Sequence, residues 1–465
     1  MTYTRSLPIR NALFAALIAF LFGCAGVALG QTEYLVYSFP HTGHSIAAGC
    51  EPQGNLVADS AGNLYGTTEY CGIGGGTVFK LTRPVPPTKQ WIETVLYNFT
   101  GFAGAGGDGT YPKGGVVLDA AGNLYGIAAG GANGLGVVFE LSPPATEGGE
   151  WTESLLYSFK GGLTDGAFAT EPLGGEYPGS EGVVLDSAGN LYGVAPFGGS
   201  GTQEYDLCTH GCGVAYKLTR PATPGGVWTE TVLHAFTAKK GAIFPVGTPI
   251  FDAKGNLYGA TTGSYPDGHA VGPAAYRLTP PATEGASWIC TVLYTFTPFR
   301  GVGDGPQSSL TFHNNGRLYG TTETGGPYGG GTVFELVPPA VPGGAWTQNI
   351  LYAFGSNGID GAYPLANVIF DKAGNLYSTT WVGGSGTTSS NCYYRGCGTV
   401  FELSPPTEEG GDWTETILHS FAPPSSTTDG SEPNSGLVLW KNGVLFGSTP
   451  YSGRGANGTV YGVVP

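Results

Sequence analysis

Ten residues, DSAGNLYGTT at 59–68, return as DAAGNLYGIA at 119–128 and DSAGNLYGVA at 186–195. The glycine that opens the shared pentapeptide stands at Gly62, Gly122, Gly189, Gly255, Gly316, Gly374 and Gly443, at spacings of 60, 67, 66, 61, 58 and 69. A fixed motif at uneven spacing describes a fixed unit carrying loops of variable length. Such a unit is too small to bury its own apolar face, so the copies must stack on one another.

Each unit holds four short runs rich in Val, Leu, Thr, Tyr and Phe. Examples are GGVVLD at 114–119, NLYGTT at 63–68, GTVFEL at 331–336 and WTETILHSF at 413–421. Their period-two alternation argues for strands, and no convincing helical period follows residue 30. The first two runs are joined by SAGN or KAGN, a tight hairpin in which Gly and then Asn are expected at positive φ. The third and fourth are joined by SPPATEGGEW or a relative, whose prolines cannot join a ladder. The long, variable loops connect runs two to three and four to one. Seven four-stranded antiparallel units predict an all-β fold, a seven-bladed β-propeller.

Ring closure is also legible. Residues 31–39, QTEYLVYSF, form a fourth strand with no first three before it, and 458–464, GTVYGVV, form a third strand with no fourth after it. The N-terminal strand is therefore expected to complete the seventh blade, which removes the exposed sheet edges. Residues 31–465 are read as one propeller domain.

The preceding residues, 1–30, read as a signal peptide. Arg5 and Arg10 precede the apolar run ALFAALIAFLFGCAGVALG, and Ala28-Leu29-Gly30 offers small residues for cleavage before Gln31. A rival route treats LFGC at 21–24 as a lipoprotein box with Cys24 as the anchor. No other apolar run approaches the ~20 residues of a membrane helix. The net charge of −15 becomes −15 − 2 = −17 without the two arginines. An acidic chain lacking a Lys/Arg cluster argues against nucleic acid and anionic membrane surfaces as partners. A monomer that is secreted, periplasmic or held at the cell surface is expected.

The core pattern DxxGNLYGTTxxGGxxxxGTVFxL, seen best at 62–81 and 374–403, resembles the GloVer repeat of bacterial exported proteins with varied, choice-of-anchor attachment. More loosely it is similar to NHL-type propeller repeats, in which a similar DxxGNxY joins the first two strands. The GloVer resemblance covers residues 34–465 and implies an exported repeat protein; it carries no catalytic residues to transfer. Such proteins often end in a surface-sorting segment. This chain stops at Pro465 directly after a strand, so an anchor is expected only at Cys24.

In a four-stranded blade, loops 2–3 and 4–1 emerge on one face, and variable loops on a rigid scaffold are where ligands bind. Candidate ligand residues in the 2–3 loops are the aromatics Tyr70, Tyr205, Tyr328, Trp381 and Tyr394, with Phe197, Tyr265, Tyr393 and Tyr451 beside them. The charged candidates are Glu69, Asp206, Asp267, His269 and Arg395, with Glu204 and Glu323 in the same loops. Flat rings offer apolar faces to sugars and acids accept hydroxyl hydrogen bonds, so a glycan or a surface protein is the expected partner. The alternative is an extracellular carbohydrate-active enzyme or lactonase-like hydrolase with a carboxylate or metal site on the same face. No GxSxG, HExxH or P-loop is present to support catalysis.

Cys50 with Cys71, Cys208 with Cys212, and Cys392 with Cys397 are expected as disulfides, leaving Cys290 as a free thiol. Zinc at the CTHGC stretch around His210 lacks a second ligand pair. Asp-Gly pairs recur in the 4–1 loops at Asp108, Asp165, Asp304, Asp360 and Asp429. They suit a local Asx turn better than calcium, because the spacing of a calcium loop is absent. No cofactor and no metal site are predicted. The tryptophans that open the fourth strands and the tyrosine of NLYG are expected to pack, not to bind, and His313 stands where other copies have the turn aspartate.

Overall fold

In the computed structural model, the described residues are 32–40, 49–100, 107–146, 148–168, 182–200, 208, 210–263, 271–283, 285–297, 303–313, 315–341, 343–357, 359–385, 392, 396–408, 410–423 and 429–465. They form seven four-stranded antiparallel sheets. Blade 2 shows the pattern, with strands Val117–Leu118, Leu124–Ala128, Val137–Ser142 and Thr152–Ser158 from channel to rim. The seventh sheet combines Val438–Leu439, Leu445–Thr449 and Thr459–Val464 with Thr32–Ser38, so the N-terminal strand completes the last blade as its outer strand. No α-helix occurs among the described residues.

The repeated decapeptide builds its own turn. Asp186 N–H bonds the Asn190 carbonyl, and Gly189 N–H bonds back to the Asp186 carbonyl. One carboxylate oxygen of Asp186 accepts from the Ala188 and Asn190 amides at 2.9 Å. The other accepts from the Asn190 side chain at 2.8 Å and the Tyr192 hydroxyl at 3.2 Å. Asp59, Asp119, Asp252 and Asp371 make the same four contacts. Gly189 sits at φ 80°, a conformation that costs a side-chain-bearing residue ~1–2 kcal/mol. The asparagine, expected at positive φ, is not; its side chain is instead a strut between the aspartate and the start of the inter-strand loop, as Asn190 shows by accepting from Arg220 N–H at 3.0 Å.

Blade 5 departs from the motif and compensates. His313 keeps the backbone turn, packs on Phe370 at 4.5 Å, and leaves Asn315 to bond the Tyr319 hydroxyl at 3.1 Å.

Period-two alternation does not run unbroken through the outer strands. The ladder between strands three and four slips at one place in every blade, as between Val138 and Phe139 in blade 2. One extra residue per outer strand turns inward, buried as Leu156 is in blade 2 and half-buried as Leu351 in blade 5. This bulge re-aims the tyrosine and phenylalanine that follow toward the next blade.

Those phenylalanines close the ring. Phe39, Phe99, Phe159, Phe236, Phe296, Phe354 and Phe421 are fully buried. Each sits edge-to-face on the third-strand aromatic of the following blade at 4.9–5.2 Å. An aromatic pair of this kind adds ~0.5–1.5 kcal/mol beyond its buried area. The seams on both sides of the closing blade carry the same pair as the others, so closure is no weaker than continuation. A second contact runs nearer the short turns. Trp151, Trp228 and Trp288 pack on Tyr65, Tyr125 and Tyr192 of the preceding blade at 6.4–6.5 Å. The repeated tyrosine and tryptophan are thus interblade core.

The Asp-Gly aspartates do more than form local turns. Asp108 accepts from the Tyr97 hydroxyl at 2.7 Å and Asp165 from that of Tyr157 at 2.8 Å. Each also accepts backbone N–H groups of its own 4–1 loop, from Thr100 and Lys160 respectively. The carboxylates clamp that loop to the outer strand.

Candidate functional site

The loop face is built on a proline that the turn motif does not include. Pro52, Pro112, Pro306, Pro364 and Pro433 each stand in the loop leading to strand one, and Pro245 opens strand one of blade 4. The residue before each has positive φ: Glu51 57°, Tyr111 49°, Phe244 57°, Gly305 116°, Tyr363 58° and Glu432 60°. In five of these the amide reaches across the seam to the 2–3 loop of the preceding blade. Glu51 N–H bonds the Asn457 carbonyl, Tyr111 that of Gly75, Phe244 that of Cys212, Tyr363 that of Gly330 and Glu432 that of Cys397, all at 2.7–2.9 Å. Phe168 makes the same bond to Leu135 at 2.8 Å. The backbone clasp repeats while its side chain changes from blade to blade.

Strand one begins a few residues later and lines the central channel. A cavity of about 490 Å³ there is bounded by Val117, Ile250, Phe251, Phe312 and Ile369, with Asn55, Thr248, Ser309 and Asn367 as its polar lining. Asn55 donates to Asn367 at 3.2 Å and accepts from the Gly436 amide at 2.6 Å. These bonds tie strand one of blades 1, 6 and 7 together beneath the loop face.

Above them, blades 6, 7, 1 and 2 join side chains into one polar and aromatic arc. The Trp381 indole N–H donates to Glu432 Oε2 at 3.1 Å, and its ring lies 6.4 Å from that of Tyr363. Asn434 donates to Gln53 at 3.2 Å, and Gln53 in turn donates to Glu69. Lys113 Nζ pairs with Glu69 Oε1 at 2.9 Å. Tyr70 and Tyr111 pack ring against ring at 5.2 Å. Burial raises the Glu51 carboxyl above its ordinary value, helped by Glu69 and opposed by Lys113. Burial also raises Glu432, against its bond from Trp381. Blades 3 and 4 differ, placing Phe197 against Phe244 at 5.7 Å.

All three disulfides serve this face. Cys50–Cys71 joins the 4–1 and 2–3 loops of blade 1 between Glu51 and Tyr70. Cys208–Cys212 and Cys392–Cys397 close the loops whose Cys212 and Cys397 carbonyls receive clasps. Cys290, half-buried, is not part of a disulfide.

Of the expected ligand residues, the structure brings Tyr70, Glu69 and Trp381 into the arc. Glu69 is only 2% exposed and holds the network together, whereas Tyr70 is 39% exposed. Tyr328 is 60% exposed on blade 5, away from the arc's bonds. Phe197 is buried, Tyr451 is exposed and Glu323 is half-buried beside Asp304. Tyr205, Asp206, Asp267, His269, Tyr394 and Arg395 lie outside the described residues, as do Glu204, Tyr265 and Tyr393. Sequence reasoning missed Glu51, Tyr111, Tyr363 and Glu432. Their signal was the x-Pro pair, whose proline stands five residues ahead of strand one in five blades and opens that strand in blade 4.

A ring with one constant face and one varied face defines the class: a seven-bladed β-propeller of sequence repeats. The Gloeobacter/Verrucomicrobia repeat matches residues 28–203 and 177–461, which together span most of the chain, and the protein belongs to that family. No curated protein matches it.

Proposed function

We propose that this protein is an exported, non-catalytic scaffold that binds a glycan across the arc formed by blades 6, 7, 1 and 2 of the loop face. The supporting observation is the clasp residue. A left-handed backbone favours glycine, and blade 5 uses Gly305 there. Blades 1, 2, 4, 6 and 7 keep Glu51, Tyr111, Phe244, Tyr363 and Glu432 there at a cost of ~1–2 kcal/mol each. Large, unlike side chains held at a strained position around a channel entrance suit recognition better than folding.

The chemistry suits a hydroxyl-rich ligand. Tyr70, Tyr111, Tyr363 and Trp381 offer ring faces, Glu51 offers an acceptor between them, and the buried Glu432 holds Trp381 in place. Glu69 is committed to Lys113 and Gln53, which suits a binding role better than acid–base work. Export is supported by three disulfides, which persist in oxidising compartments.

Glycan-array screening of the purified protein tests the reading, with cell-envelope and plant polysaccharides included. Binding that Trp381→Ala and Tyr111→Ala both weaken is expected; silence across both groups would remove the glycan reading. N-terminal mass spectrometry of material from the native host should show a chain starting at Gln31.

A further inference from the structure

The seven seams share one plan, and two replace its phenol with an imidazole: His234 between blades 3 and 4, and His419 between blades 6 and 7, where two carboxylates meet it. Where strand four of one blade meets the next, an aromatic residue on the outer strand faces an acid or amide on the neighbouring outer strand. Tyr37 donates to Glu93 at 2.8 Å, Tyr294 to Gln348 at 3.0 Å and Tyr352 to Glu415 at 3.2 Å. An Asp-Gly aspartate adds a second carboxylate, as Asp360 does beside Tyr352. Between blades 6 and 7 the phenol is replaced by the imidazole of His419, with Asp429 from the loop and Glu33 from the N-terminal strand. His419 Nε2 lies 3.2 Å from Asp429 Oδ2, and one donor atom of each of the three residues falls within 4.8 Å of the others. Among the described residues no other group of three His, Cys, Asp or Glu side chains meets so closely.

We infer that Glu33, His419 and Asp429 form a zinc-type divalent metal site that rivets the N-terminal strand to blade 6. One imidazole and two carboxylates are a donor set for zinc and its transition-metal neighbours, whereas calcium takes six or more oxygens. In a tetrahedral zinc site with bonds of about 2.1 Å, ligand atoms stand about 3.4 Å apart. The His419–Asp429 pair is already at that spacing, so Glu33 is the ligand that closes in. Asp429 is pre-set by the Ala422 and Gly430 amides at 2.9 and 2.8 Å. His419 is braced edge-on against Phe421 at 4.7 Å.

The buried polar atoms around the trio leave room for a further ligand. Tyr461 is fully buried, and its hydroxyl has no hydrogen-bond partner among the described residues. It is a diagonal neighbour of Glu33 in the closing ladder, because Leu35 pairs with Tyr461 and Glu33 with Val463. The charges of Glu33 and Asp429 both reach that phenol. Glu33 Oε1 is likewise buried and without a partner. Glu93, Glu153, Glu230 and Glu415 leave the same oxygen unpartnered in their own seams, and Tyr276 the same hydroxyl, so what the closing seam adds is the imidazole that meets this free oxygen beside Asp429.

Zinc titration of the purified, metal-stripped full chain tests this by calorimetry and by thermal melting. One equivalent of zinc should bind and raise the melting midpoint. His419→Tyr and Glu33→Gln each install a residue type that another seam carries, so both should fold. Each should weaken zinc binding at least about 100-fold and abolish the thermal gain. Absence of stoichiometric zinc binding in the unaltered protein would overturn the site, as would undiminished binding in either folded variant.

Discussion

The two faces of the ring solve the same problem with different atoms. On the turn face, Asp186 and its counterparts hold the chain through side-chain hydrogen bonds, so Asp, Gly, Asn and Tyr recur. On the loop face, the clasps run from backbone amide to backbone carbonyl, and three disulfides reinforce four loops. A backbone bond makes no demand on the side chain beyond the φ it imposes. The lesson is that fixing structure with the main chain releases the side chains to differ.

Removing the Cys50–Cys71 link by the double change to serine should break that separation most. The bridge closes a sequence separation of 21, so its loss should cost about 3 kcal/mol and loosen the arc as well. Chemical denaturation and ligand binding should both register it. Asp186→Ala on the turn face should cost about 2–3 kcal/mol from several lost bonds and leave binding unchanged. Equal loss of binding in both variants would erase the contrast between the faces.

A pH series sharpens it further. Burial holds Asp59, Asp186 and Asp252 less strongly than their hydrogen bonds do, so their carboxyls lie below the usual value. Their stabilisation is present above the unfolded value and is lost as pH falls through the folded one. The seam acids behave in the opposite sense. Burial pushes Glu153, Glu230 and Glu415 to about 7, with Asp108, Asp165 and Asp360 adding repulsion. Stability held by their neutral forms is complete below the unfolded value of 4.5 and is lost as pH rises through about 7. Glu153→Gln should therefore raise the melting midpoint at pH 8 and not at pH 4. Gln348 already shows that an amide accepts the seam tyrosine.

Smaller effects separate the arc from the rest of its face. Trp381→Ala should weaken ligand binding about tenfold with less than ~1 kcal/mol of lost stability. Tyr328→Ala, in an exposed 2–3 loop outside the arc, should alter stability by under ~0.5 kcal/mol and affinity by less than about twofold. A Tyr328 effect as large as that of Trp381 would spread the site over the whole face.

Legibility followed the same division. The seven copies of the turn motif, four of them DxxGNLYG in full, announced blade number and turn, because each motif residue meets partners within a few positions of itself, and the unmatched strands at 31–39 and 458–464 announced closure. Cys50 and Cys71 were legible through topology, since one blade brings loops 4–1 and 2–3 to one face. The outer-strand bulge was hidden, because an extra Leu156 among apolar residues looks like ordinary alternation. Glu51 and Tyr111 were hidden because their importance comes from a partner in the preceding blade, beyond any local pattern.

The sequence by itself determined a closed ring of seven four-stranded blades, since local hydrogen bonding and period-two burial repeat at short range. Only the tertiary structure decided which side chains meet across a seam. Glu432 joins Trp381, Lys113 joins Glu69 and Glu33 comes to His419 because ring closure places different blades, and the two ends of the chain, side by side.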